Sequence, residues 1–144
     1  MRPLEENSIE PFSVPLEVAN DDDVTAAFLG LLETTRVRRI TLQGVVHPRK
    51  AKLVLPKAVA DQLGLRLGRK VKVRYANGRS ATRLTAYGAH VTLHGREGVF
   101  SAIIEPKRTE ARIGFIVLND LDLLVDHPGR RLVPRDPRST VYDI

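Results

Sequence analysis

Residues 44–65 read GVVHPRKAKLVLPKAVADQLGL. The stretch opens as an apolar strand ending Val45-Val46 and resumes as a second apolar run, Leu53-Val54-Leu55. A short helix then follows, in which Pro56 suits the first helical position, where no backbone N–H is needed, and Gly64 suits a left-handed cap after the last turn. Ala58, Val59 and Leu63 are expected to face the core from that helix. Between strand and run stand His47, Pro48, Arg49 and Lys50, four residues that neither a buried strand nor a helix start calls for.

Upstream, FSVPLEVAN alternates like a strand, and NDDDVTAAFLGLLETT reads as an Asp-capped short helix closed near Thr34. VRRITLQGVV is the strand that enters the quoted stretch. Downstream, KVKVRYANGRSATRL carries Asn77-Gly78 between two alternating runs, a hairpin signal because both central positions of a two-residue turn favour residues that tolerate positive φ. AHVTLHGREGVFSAIIEP predicts another hairpin turning near Gly95 to Gly98. In the last piece an apolar strand ends at Gly114, VLNDL forms a turn of helix, LDLLVD is a strand and HPGR turns it back. Short strands with a turn about every ten residues predict an all-β fold, a closed barrel with one or two short helices.

Composition bounds the function. A chain of 144 residues fits one domain with its own core. Residues 1–12 read as an N-terminal extension and 13–144 as the domain. Cysteine is absent, which excludes disulfides, thiolate metal sites and sulfur redox chemistry, and suggests a reducing, cytoplasmic setting. No run approaches the roughly 20 apolar residues of a spanning helix, so no membrane association is expected. The net charge of +6 makes an anionic partner a fair expectation. With only three Tyr and four Phe, and Lys and Arg scattered among apolar residues, no stacking platform for single strands is evident, which argues against nucleic acid. His90 and His94, four apart in a strand, lie roughly 13 Å from each other and cannot share one metal. No cofactor is expected.

The order of parts resembles the retropepsin-like aspartic proteases, in particular the small prokaryotic type with a single Asp-Thr/Ser-Gly-Ala loop per chain. The resemblance rests on LVLPKAVADQLGL at Leu53–Leu65, on VKVRYANGR as the flap strand, and on LHGREGVFSAIIEPKR, IGFIVLNDLDLLVD and RLVPRDPR after it. It runs from about Ser13 to Ile144. It implies a flap whose tip is Ala76, Asn77, Gly78 and Arg79, and a strand ending at Gly114 beneath the catalytic loop. It also implies a homodimer whose interface uses strands near Ser13–Val18 and Arg131–Val141.

The departure falls on the loop itself. Counting back from Pro56, His47 stands at the place of the catalytic Asp, Pro48 at the Thr or Ser, Arg49 at the Gly and Lys50 at the small residue. Acid-protease chemistry uses two carboxylates sharing one proton, one from each chain of the dimer in this family. His47 cannot supply one, Pro48 removes a backbone donor, and Arg49 adds bulk where two loops meet. Reverting all four positions, rather than His47 alone, is what the resemblance implies for activity.

No other acid is an evident substitute: Asp61 reads as solvated on the helix, and Asp126 as a turn residue bonding its own DHPGR loop. The expectation is a catalytically inactive aspartic-protease-like homodimer that binds a peptide or acidic protein ligand through His47, Arg49, Lys50, the flap tip and Gly114. An active peptidase with a non-standard residue set and a basic nucleic-acid-binding module are the alternatives.

Overall fold

A computed structural model describes residues 11–144 of the chain. Nine strands, three short helices and one 3-10 turn follow one another. They are β1 (Phe12–Asn20), α1 (Asp21–Phe28), the turn Thr34–Arg36, β2 (Arg39–Val46), β3 (Leu53–Pro56), α2 (Lys57–Leu63), β4 (Arg66–Arg74) and β5 (Ser80–Leu93). β6 (Arg96–Glu105), β7 (Ala111–Ile113), α3 (Phe115–Asp120), β8 (Leu123–Asp126) and β9 (Arg131–Pro134) complete the chain. Most of the N-terminal extension, residues 1–10, lies outside the described residues.

One sheet runs β1-β2-β7-β3-β6-β5-β4, and a further pairing of β1 with β5 closes all but β4 into a barrel. Closure reduces the sheet's open edges to β4 and the start of β1, as the expected architecture requires. Its interior is filled by the inward residues of alternating strands, among them Leu16, Val18, Val46, Leu55, Val91 and Ile113. β5 manages two partners in turn: Ser80–Tyr87 pairs with β4 and Ala89–Thr92 with β1. The switch falls at Gly88, whose φ of 73° suits a residue without Cβ, at the register shift between Ala86 and Ala89.

The central feature for the site is β7. It lies parallel to β2, with Val45 opposite Arg112, and meets β3 antiparallel at Val54. β2 and β3 are consecutive in sequence, so their connection, residues 47–52, passes over the end of the strand inserted between them. Ala111 and Ile113 are buried in the barrel, and the period-2 alternation therefore turns Arg112 to the opposite face.

Several local expectations are corrected. Pro56 is the last residue of β3 and the N-cap of α2 rather than its first helical residue. α2 buries Ala60 and Leu63 and leaves Ala58 exposed. Its closure at Gly64, with φ of 64°, is as read from the sequence. α1 is capped by Asn20, not by an aspartate, and ends at Phe28. The Asn20 side chain accepts from Asp23 N at 3.1 Å and donates to Leu63 O at 2.9 Å, tying β1, α1 and α2 together.

The first hairpin turns over Tyr75–Gly78, with Gly78 N donating to Tyr75 O at 2.9 Å. Gly78 alone has positive φ there. The second turns on His94 and Gly95, both at positive φ, while Gly98 sits within β6.

Candidate functional site

The loop between β2 and β3 is a tight turn. His47 N donates to Ile113 O at 2.9 Å, and Lys50 N donates back to His47 O at 3.1 Å. The start of α3 holds it from below, with Phe115 N donating to Lys50 O at 2.7 Å and Ile116 N to Ala51 O at 3.0 Å. Gly114 makes this possible by its lack of a side chain: a Cβ there would lie 2.4 Å from Ala51 O and 2.5 Å from Lys50 O. The loop is therefore seated on the α3 terminus, although all four of its leading residues differ from the Asp-Thr/Ser-Gly-Ala pattern.

Its electrostatics are those of a cationic site. Burial, then the charges of Arg112, Lys50, Arg108 and Arg49, hold the His47 imidazole below its ordinary pKa, so it is neutral at neutral pH. Burial first and Arg108 second also push the Arg112 guanidinium down, against the opposing pull of Glu105. Arg112 Nε is buried with no hydrogen-bond partner among the described residues. Leaving such a donor unmade costs roughly 1–3 kcal/mol, and more for a charged group.

Two adjoining hollows share Ile103 beside this face. The smaller, about 100 Å³, is lined by Val54, Tyr75, Glu105, Arg108 and Arg112 among others. The larger, about 380 Å³, is lined by Lys52, Arg69, Lys72, Thr85, Tyr87 and Ser101 among others. Glu105 is the one carboxylate that lines either hollow. It is already engaged, 2.6 Å from Arg83 Nε and 2.8 Å from the Tyr75 hydroxyl.

His47, Arg49 and Lys50 thus share one turn with Gly114 packed beneath it. The turn Ala76–Arg79, expected to be a flap tip, is separate and exposed, and among the described residues no hydrogen bond joins it to the loop. Arg108 and Arg112 were not singled out by the sequence reading. The signal was the alternation of ARI, which puts a guanidinium opposite two buried neighbours, but a strand of three residues is too short for that pattern to stand out.

The acids weighed as substitutes are engaged elsewhere. Asp61 pairs with Lys57 at 2.6 Å on the surface, and Asp126 accepts from Gly129 N and Arg131 Nε, as its turn role requires. His90 is bound at both ring nitrogens, to Asp21 and to Glu97. Among the described residues no cluster of three or more His, Asp or Glu is arranged to hold a metal ion.

The fold is that of the retropepsin-like acid proteases. Among solved structures, the chain is similar to the EIAV protease complexed with the inhibitor HBY-793, with a TM-score of 0.51 and 15% identity over 84% of this chain and 93% of that one. No family model matches the sequence. No curated protein matches it either.

Proposed function

We propose that the chain is a catalytically inactive aspartic-protease-like protein, a cytoplasmic homodimer of one domain over residues 13–144, that binds an acidic peptide or protein segment in the ancestral cleft. The observation that carries this reading is the combination at the loop: no carboxylate at position 47, and a surrounding shell of Arg49, Lys50, Arg108 and Arg112. A proton-sharing carboxylate pair cannot form there, whereas a cationic cleft attracts anionic ligands and speeds their encounter. The dimer is supported by two open strand edges. β1 pairs with β5 only from Glu17 onward, and β9 pairs only with β8, leaving a groove of about 470 Å³ between their ends. The small prokaryotic proteins with a single catalytic loop per chain are the relatives this reading implies.

The test is incubation with a peptide library from pH 3 to 8, read by mass spectrometry, alongside binding of labelled acidic peptides and their Asn/Gln counterparts. No cleavage is expected, and the acidic peptides should bind more tightly, with affinity falling as salt rises. Cleavage that a pepsin-type hydroxyl inhibitor blocks would overturn the reading.

A further inference from the structure

The geometry points to a discrete oxyanion site at Arg112 and Arg108, in the small hollow under the flap hairpin, that takes one phosphate or carboxylate group. This deepens the reading above and rests on it for the biological ligand, but the anion site itself can be tested alone.

Three observations converge. Arg112 Nε is withdrawn from solvent and has no partner among the described residues, so an acceptor supplied from outside would complete it. Arg108 stands at the same hollow, with its Nε donating to Glu110 O at 2.7 Å, which fixes that side chain at the rim. The volume of about 100 Å³ suits a small tetrahedral or planar anion rather than a large side chain.

Planar guanidinium forks match such groups two bonds at a time, which a lysine cannot do. Glu105 lines the same hollow, and its charge would oppose an anion. Arg83 Nε at 2.6 Å and the Tyr75 hydroxyl at 2.8 Å neutralise and orient it, so that Arg108 and Arg112, with Arg74 as a third arginine lining the hollow, meet no free carboxylate there among the described residues.

Inorganic phosphate and acetate are the probes, titrated against the full chain at constant ionic strength. Thermal denaturation reads stability, and the Nε–H resonance that disappears in Arg112→Lys reads the site directly. Phosphate should raise the Tm saturably and shift that resonance. Arg112→Met should abolish the rise, Arg112→Lys should weaken apparent affinity about tenfold, some 1.4 kcal/mol, and Lys70→Ala on the exposed strand should change nothing. An acetate response of the same pattern assigns carboxylates, and a phosphate response alone assigns phosphoryl groups.

An unmoved resonance, or equal stabilisation of wild type, Arg112→Met and Lys70→Ala, would overturn the site. Acidic-peptide binding that survives Arg112→Met unchanged sinks the site and leaves the cleft reading standing. Phosphate binding at Arg112 without any peptide binding sinks the cleft reading and leaves the site.

Discussion

At His90 both ring nitrogens meet carboxylates, Nδ1 at 3.0 Å from Asp21 of α1 and Nε2 at 2.8 Å from Glu97 of β6. A neutral imidazole carries one N–H and can satisfy only one of them, whereas imidazolium satisfies both. Burial opposes the charge, but the hydrogen bonds to Asp21 and Glu97 prevail and hold the pKa above its ordinary value. Since the folded pKa is the higher, the stabilisation is full below the unfolded value of about 6.5 and is lost as pH rises through the folded one. Urea denaturation of wild type and His90→Ala at pH 5.5 and pH 9 should therefore show a gap larger at the acid end, by no more than the roughly 1.5–3 kcal/mol of hydrogen bonds to charged groups because Glu97 is exposed. A gap that widens toward pH 9 would contradict the assignment. His47 has the opposite sign. Its folded pKa is lowered, so its contribution is present above about 6.5 and is lost as pH falls through the folded value.

Among the elements, the β2–β3 loop and α3 form one mechanical unit through Gly114. Its φ of −92° is open to any residue, so the requirement for glycine is one of space. Gly114→Ala should destabilise the fold by roughly 1–3 kcal/mol, the usual range of overpacking, and toward its upper end because the contacts are backbone. Amide exchange at Phe115 and Ile116, whose N–H groups bond the loop, should accelerate beyond what the global loss explains. Sequence periodicity displayed β1, β2 and β6 well because each is long enough for alternation to repeat, whereas β5 read as strands of two separate hairpins; Gly64 announced the end of α2 through a conformation only few residues adopt. Gly98 was misread as part of a turn because a glycine inside a strand looks the same in sequence as one at its end. The role of Gly88, and the partners of β7, itself legible as the apolar strand ending at Gly114, were hidden for a different reason. Their roles come from partners far along the chain, β1 for one and β2 with β3 for the other, and no local pattern encodes a non-local pairing. The break between the two apolar runs at His47–Lys50 was visible in sequence, but the guanidinium of Arg112 beside it was not.

For the whole molecule, catalysis requires both assembly and a site where two carboxylates can share a proton. Two copies of the loop brought to a two-fold axis would place Arg49 and Lys50 from each chain close together, so light scattering at micromolar concentration should show a dimer that tightens as salt screens this repulsion. Reverting the loop alone, by His47→Asp, Pro48→Thr, Arg49→Gly and Lys50→Ala, removes that repulsion and supplies the carboxylates. It leaves Arg112 and Arg108, whose charges already act on position 47. Beside those guanidiniums both introduced carboxyls would stay ionised, and a pair that cannot retain one proton has no general acid to offer the scissile carbonyl. The fourfold variant should accordingly dimerise and remain near background in peptide hydrolysis at pH 4–7. Adding Arg112→Ile, which puts an apolar side chain on β7 at its pairing with Val54, should let the second carboxyl hold its proton and bring hydrolysis up by at least tenfold, with inhibition by a pepsin-type hydroxyl compound. Equal activity of the fourfold and fivefold variants would show that Arg112 does not govern the loop's proton, and an inactive but dimeric fivefold variant would place the lost function in the flap or the cleft walls.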